Sequence, residues 1–382
     1  MNHVNHVPEK ILQQIWKDAG KNSPLAKSSP FDVVAKFNPT SSEVHVDAVL
    51  SNMSVAMLQS TDNFAAYKIF PKIPSEKQRD LFYTYDDADF MRNEMTNRAP
   101  LTESEGVGFN LSTDSYHCEK YGLHVDVSDE TYTNMDSPII DVNADITRIL
   151  TQMSLIKQEI LWADQFFTTG VWGTDIVGDD VAGSGTAARW SLDSSTPIED
   201  IEAGRRAMML AANGTEPNTL VLAYNTWSHL KNNPQILDRI RTTNSSGTQA
   251  AKATLQTVAE VFEIDRIVIS KAVYNTAAEG ATQSNAFIAN NNALLCYVTP
   301  TPGKLIASAG YTFDWTGLPG GVTTQGVPTV SISDYRMELV KGNRLESELA
   351  FTYKRIKAAM GYFFSAIVSD ADAAAEVTEP TV

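Results

Sequence analysis

The chain has only two cysteines in 382 residues, Cys118 and Cys296, and no CxxC pair. That excludes a disulfide framework and fits a reducing compartment. Histidines number six, too few to suggest a metal-rich protein. Basic residues are outnumbered: 30 Lys and Arg against 46 Asp and Glu leave a net charge of −16. A dedicated nucleic-acid grip needs basic patches to displace counterions, so this balance argues against one. Long apolar runs are missing. FFSAIV at 363–368 is among the longest, far short of the roughly 20 residues a membrane helix needs. The opening MNHVNHVPEK lacks the basic-then-apolar order of a signal peptide. A soluble, intracellularly made protein is expected. What is present is ordinary globular material, 43% apolar and 20% charged, enough for a large core and about two or three domains.

Catalytic signatures are also missing. There is no HExxH, no GxSxG elbow, and no Ser or Cys with a motif-paired His. Three stretches imitate sites. GDDVAGSGT (178–186) has the glycines of a phosphate loop but no following lysine, and Asp179 and Asp180 would repel phosphate. A surface loop is the plainer reading. His117, Cys118 and His124 could suggest a metal. Adjacent strand residues point to opposite faces, and six residues of strand separate Cys118 from His124 by about 20 Å. Zinc ligands must converge at about 2 Å from one point. Asp86, Asp87 and Asp89 in YDDADF lack the glycine turn and the spaced glutamate of an EF-hand loop. No catalytic residue, metal or cofactor is expected.

Residues 1–44 read as an arm. Ile11, Leu12, Ile15 and Trp16 have brief helical spacing before GKNSPLAKSSP. Five lysines (10, 17, 21, 27, 36) against Glu9, Asp18 and Asp32 make residues 1–40 slightly positive. VDAVLSNMSVAML predicts a short helix, and LFYTY (81–85) a strand. Then comes NRAPLTESEGVGFNLSTDSYHCEKYGLHVDV (97–127), a long polar stretch. Its second half alternates, with Tyr121, Leu123, Val125 and Val127 on one side. Its first half has almost nothing to bury, and reads as a hairpin held away from any core.

The clearest helix follows. Ile146, Ile149, Leu150, Met153, Ile156, Ile160, Ala163 and Phe167 recur at three- and four-residue steps, over about 40 Å at 1.5 Å per residue. Residues 170–196 read as loop. From 197, helices (IEDIEAGRRAMMLAAN, NTWSHLKNNPQILDRI with a break at Pro234, TLQTVAEVF) alternate with strands (TLVLAY, RIVIS, ALLCYV), which describes an α/β layer. Residues 299–330 are rich in Gly, Pro and Thr and read as loops. VSISDYRMELV and RLESELAFTYKRI flank Gly342-Asn343, a composition that favours a two-residue hairpin turn. The tail SDADAAAEVTEPTV has four acids and no base.

This element order resembles that of the tailed-bacteriophage major capsid proteins of the Hong Kong 97-type fold. The strings that carry the resemblance are FYTYDDADFMRNEMTNRAP, ITRILTQMSLIKQEILWADQFF, PNTLVLAYNTWSHLKNNPQILDRI, VAEVFEIDRIVISKAVYN, SAGYTFDW and YRMELVKGNRLESELAFTYKRIKAAMGYFFSAIV. The resemblance implies an α+β fold: an N-terminal arm (1–44) and a peripheral domain (45–95, 128–196, 331–369) with a spine helix at about 143–169. To these it adds an extended β-hairpin loop (96–127), an axial α/β domain (197–330) and an acidic tail (370–382). It implies a shell subunit that assembles into pentamers and hexamers around a double-stranded DNA genome. The loop would lie over a neighbouring subunit through Arg98, Pro100, Leu101, Glu103, Glu105, Gly106, Gly108, Phe109, Leu111 and Tyr116, with Gly106 and Gly108 letting it bend. Peripheral contacts would come from Arg148, Lys157, Glu159, Arg344 and Glu346.

Some relatives weld subunits through a Lys–Asn bond. The loop tip at 99–119 has no lysine, Lys120 lies nearer its base, and LESELAFT has no asparagine. Non-covalent contacts or a cement protein are therefore expected to hold the shell. The short arm implies a separate scaffolding protein, alongside a portal, non-specific contact with packaged DNA, and no membrane. The expected location is the virion, after synthesis in the bacterial host cytoplasm. An encapsulin-like compartment shares the fold. A two-domain α/β enzyme using acids such as Asp179 and Asp180 is the alternative of another class.

Overall fold

The structure, a computed structural model, describes residues 58–134, 142–243, 253–303, 306–317 and 330–369. The arm, all but the last residue of the predicted helix at 46–58 and the acidic tail lie outside the described residues. Among those described, no helix is long and apolar enough to cross a membrane.

The chain divides into two units. One takes in His124–Thr147 and Asp334–Glu346, and the other Leu58–Leu123, Arg148–Ser333 and the chain from Ser347 onward. In chain order the elements are α1 (Ala66–Ile69), β1 (Lys72–Ser75), β2 (Arg79–Tyr85), β3 (Leu111–His117), β4 (Glu119–Ser128), α2 (Asp129–Asn134) and α3 (Val142–Phe166). Then come β5 (Thr174–Asp179), β6 (Thr186–Ala188), α4 (Pro197–Ala211), β7 (Thr219–Ala223), α5 (Tyr224–Leu230), α6 (Pro234–Thr243) and α7 (Leu255–Phe262). The remainder are β8 (Arg266–Ser270), β9 (Val273–Asn275), β10 (Asn285–Phe287), β11 (Ala293–Cys296), β12 (Gly310–Trp315), β13 (Ser331–Met337), β14 (Gly342–Arg355) and β15 (Gly361–Ser365).

The larger unit is organised on a mixed sheet ordered β6-β5-β15-β11-β7-β8. Its interior strand β7 (TLVLA) is buried throughout, which is why the sequence reads as an unbroken apolar run there. The two-residue period sorts its side chains between two cores. Val221 and Ala223 join Leu294, Phe363, Trp162 and Phe166 on one face. Leu220 and Leu222 join Leu295, Phe364, Trp190 and Ile201 on the other. Helix α4 comes so close to that second face that a Cβ on Gly204 would stand 3.1 Å from the Tyr362 ring.

Two segments read as loop contribute strands. Residues 170–196 hold β5 and β6, which run parallel to one another beside β15. Within 299–330, β12 (GYTFDW) runs parallel to β1 and antiparallel to β14. Apart from the short β5–β6 pairing, their hydrogen-bond partners are distant in sequence, so the Gly and Thr content dominates the local reading. Strand β15, expected with the peripheral elements, lies in the same sheet as β7, β8 and β11.

Helix α3 forms where the spacing predicts, but its buried face is Leu150, Ser154, Leu155, Gln158, Glu159, Trp162 and Phe166. Ile149 and Met153, placed by spacing in the apolar stripe, are 39% and 49% exposed. The helix is rotated because its polar residues have partners inside. Ser154 Oγ meets Ser347 Oγ at 2.7 Å, and Glu159 accepts three hydrogen bonds, described below.

In the smaller unit, the β13–β14 turn is not at Gly342-Asn343. Both residues belong to β14, and Lys341 takes the left-handed position at φ 48°. Gly342 is glycine because a Cβ there would lie 2.6 Å from the Val127 carbonyl oxygen. The glycine marks a close backbone approach, not a turn.

Candidate interaction surfaces

The polar stretch is built on a two-stranded ribbon. Strands β2 and β3 pair antiparallel from Arg79↔His117 to Tyr85↔Leu111. The hairpin therefore starts at residue 79, and the second half of the 97–127 stretch leaves it: β4 pairs with β14. Alternation gives the ribbon two faces. On one, Phe82 and Tyr116 pack on Phe313, with ring centroids 5.9 and 4.3 Å away. Tyr116 Oη meets Ser75 Oγ at 2.5 Å, and Lys354 Nζ stands 3.0 Å from Asp114. Burial, the largest single influence, raises the Asp114 pKa, but the Lys354 contact and the Ser115 N–H together outweigh it and hold the carboxyl below its usual value. Tyr116, expected at a subunit contact, is thus committed to its own subunit by stacking and a hydrogen bond.

The other face carries Leu81, Tyr83 and Leu111, which are 64%, 69% and 52% exposed. Sequence reasoning picked out Leu111 but missed Leu81 and Tyr83. The signal was the alternation within LFYTY once its other side is seen to be occupied.

The loop between β2 and β3 is pinned at its root. Asp86 accepts from the Ala88 N–H at 3.1 Å, and Asp89 Oδ2 accepts from the Asn110 N–H at 2.9 Å. Asp86 and Asp89, two of the acids that imitate a cation site, therefore bond to backbone. Tyr85, Phe90 and Phe109 cluster there, with centroids 5.8 to 6.2 Å apart. Further out the loop encloses an open cavity of about 1140 Å³ lined by Asp89, Phe90, Arg92, Met95, Glu105 and Val107, among others. At Ala99–Thr102 a turn places Pro100 before Leu101, which has φ 66° and is wholly exposed. Left-handed backbone is unfavourable for leucine. Gly106 and Gly108 have open space around them and do not take positive φ. Among the described residues nothing requires glycine at either position. Arg98, Glu103 and Glu105 are exposed on the same loop.

The second surface lies in the smaller unit. Arg344 forms a bidentate pair with Asp126, at 2.7 and 2.8 Å. Those bonds, more than burial, hold the Asp126 carboxyl low. Arg336 grips Asp129 in the same way, at 2.5 and 2.7 Å. Glu346 is half-buried and acts electrostatically on Arg344. The turn beyond them exposes Leu339 and Val340.

Along α3, Arg148 is exposed, and the Lys157 ammonium sits 5.3 Å above the Tyr121 ring. Glu159 must be removed from the contact set, because it is 1% exposed. Its carboxylate accepts the N–H groups of Ala65 (3.0 Å) and Ala66 (2.8 Å) and the Ser270 hydroxyl (2.6 Å). Burial raises its pKa, and these donors only partly offset that.

The remaining motif look-alikes have structural roles. Gly178 allows the Ala366 carbonyl to pass 2.2 Å from where a Cβ would be, and Asp180 pairs with Arg189. Cys118 is buried with its thiol on the Phe313 carbonyl. Among the described residues no three His, Cys, Asp or Glu side chains gather as a metal site.

No family model matches the chain. Over 184 residues it is 26% identical to the major capsid protein of Burkholderia phage BcepMu, a match covering 47% of this chain and 53% of that protein. The chain thus spans about half the length of that relative. Among solved structures, a phage-related protein from Bordetella bronchiseptica RB50 superposes with a TM-score of 0.59 at 22% identity, over 85% of this chain and 98% of that one. The capsid structure of cyanophage P-SCSP1u superposes with a TM-score of 0.51 at 12% identity, over 95% and 99%. The chain has the phage capsid-protein fold. It is the Hong Kong 97-type architecture that the sequence resemblance implied.

Proposed function

We propose that this protein is the major capsid subunit of a tailed double-stranded DNA phage, assembling as pentamers and hexamers into a closed shell around the genome. The reading is carried by a capsid fold extending over most of the chain, together with a ribbon whose apolar residues Leu81, Tyr83 and Leu111 are more than half exposed among the described residues. A two-stranded ribbon alone is marginal in water, and a neighbouring subunit supplies the missing surface. Closed symmetry then multiplies moderate contacts into a stable particle. The exposed residues of the 96–127 loop, from Arg98 to Leu111, are assigned to the neighbour. Arg148, Lys157, Arg344 and Glu346 are assigned to contacts between peripheral domains.

In this reading the subunit works in the virion and has no catalytic role. A separate scaffolding protein directs assembly, a portal occupies one vertex, and non-covalent contacts or a cement protein hold the shell. The net charge of −16 limits adsorption of packaged DNA to the shell wall. Negative-stain electron microscopy and native mass measurement test the proposal. Capsomers or megadalton particles are expected, and a chain that stays a monomer at every concentration would refute it. Nucleic-acid content of particles purified from infected cells separates a genome shell from a protein-filled compartment.

A further inference from the structure

We propose that residues 46–57 fold as an amphipathic helix onto the exposed apolar strip of α3, Ile149 and Met153, within the same subunit. Ile149 and Met153 stand four residues apart, so they lie one above the other on α3. Ile156 and Ile160 continue the same line, and there the line packs against the cluster of Leu155, Phe64 and Tyr67. One half of the stripe is thus covered by the body of the subunit. The other half, at Ile149 and Met153, is exposed among the described residues.

Chain continuity selects the occupant. Leu58 is the first described residue, and Gln59 is fixed beside the strip. Its N–H donates to Gln152 Oε1 at 3.2 Å. Its side-chain amide donates to the Val273 carbonyl at 2.5 Å and accepts from the Val273 N–H at 3.0 Å. Gln152 adjoins Met153 and lies one helical turn from Ile149, so the chain enters at the level of the strip. The residues before this anchor match it. In VDAVLSNMSVAML, Val46, Val49, Leu50, Met53 and Met57 recur at three- and four-residue steps, which makes one apolar stripe. Asp47, Ser51 and Ser54 fall outside that stripe. Residues 46–57 span about 18 Å as a helix, close to the rise of about 16 Å from Ile149 to Ile160. A helix this short is marginal alone in water and needs an apolar face to pack on. Charge agrees with the match: Arg148 and Lys157 are exposed along α3 on either side of Met153, whereas residues 37–58 hold Glu43 and Asp47 and no lysine or arginine. The anchor at Gln59 also favours the subunit's own segment over a second copy. So short a tether holds the helix beside the strip at an effective concentration of about millimolar.

The test uses the full chain with Met53→Cys and Met153→Cys, and a control with Ser51→Cys and Met153→Cys, since Ser51 falls on the polar side of the helix. The native thiols give a low background, because Cys118 and Cys296 are buried and burial pushes each pKa up to about 12. After mild oxidation and digestion without reductant, mass spectrometry should find the 53–153 link at least tenfold more abundant than the 51–153 link. Comparable linking in both variants, or none in either, overturns the placement. A denaturing gel without reductant identifies the source of the helix. A link within one chain runs as a single chain, and bands at multiples overturn the choice of the same subunit in favour of a second copy. The readout is the same for free subunits and for particles, so it stands whether or not the shell reading holds. Hydrogen exchange supplies a second measurement without new cysteines. Residues 46–57 should exchange at least tenfold more slowly in the chain than in an isolated peptide of the same sequence, and Met153→Asp should remove that protection while β7 stays protected. Exchange as fast as the peptide, or protection that survives Met153→Asp, contradicts the proposal.

Discussion

The rings of Tyr116 and Phe313 lie parallel to within 2°, with centroids 4.3 Å apart. This stack, with Phe82 on the same ring, fastens the ribbon to the body of its own subunit. Among the described residues it also leaves the Leu81 and Tyr83 face exposed.

Removing Phe313 should therefore loosen the ribbon selectively. Phe313 is 5% exposed, and truncating a buried phenylalanine to alanine costs about 3–5 kcal/mol. Phe313→Ala should raise hydrogen exchange in residues 79–85 and 111–117 by about tenfold or more while β7 stays protected, the mark of local opening. Uniform deprotection across the chain would instead mean that Phe313 supports the whole fold and not the ribbon.

Lys72 and Asp314 form an ion pair at 3.3 Å, with side chains only 2% and 1% exposed. Burial lowers the Lys72 pKa, and Asp314 opposes that. Removing one partner strands a buried charge, at a cost of about 3–5 kcal/mol, whereas replacing both with apolar groups can be neutral. Lys72→Met should lose that much stability in urea unfolding, and Lys72→Met with Asp314→Leu should recover most of it. A double variant as unstable as the single would show that the pair is worth more than its desolvation cost.

The sequence revealed the existence of α3 but not its rotation. Apolar spacing favoured Ile149 and Met153, and only the tertiary partners of Ser154 and Glu159 explain why polar residues turn inward. Gly342 shows a different limit. Composition identifies a special backbone position, but whether it serves a turn or the close pass of Val127 depends on a strand more than two hundred residues away. LFYTY was legible as a strand from its alternation. Its pairing with residues 111–117 was not, because register across a long loop leaves no local trace. The apolar identity of Leu81 and Tyr83 was visible, but their exposure depends on Phe313 occupying the other face.

Glu159 gives a pH dependence with a definite sign. Burial, its largest influence, raises its folded-state pKa above the ordinary 4.5. The folded state then binds more protons than the unfolded state between those two values, so its stability falls as pH rises through that window. Glu159→Gln should lack this decline while keeping an oxygen to accept from Ala65 and Ala66. Denaturant unfolding of both proteins from pH 4.5 upward should show the wild type losing stability relative to the variant. A relative gain would mean that the three donors outweigh burial. Glu159→Leu, which leaves those donors unpaired, should cost about 2–3 kcal/mol or more at any pH.

Covalent welding of subunits through the loop is not expected. Residues 99–119 have no lysine, and Lys120 forms an ion pair with Glu348 of its own subunit. That pairing ties the Lys120 side chain to its own subunit. Glu348 also lies within LESELAFT, the part of the terminal hairpin that has no asparagine to be attacked. Particles boiled in detergent under reducing conditions should therefore run as single chains of 41.8 kDa. A ladder of multiples, with a peptide joining Lys120 to another chain found by mass spectrometry, would show that assembly pulls Lys120 away from Glu348 and that the subunit pair holds it only before the shell closes.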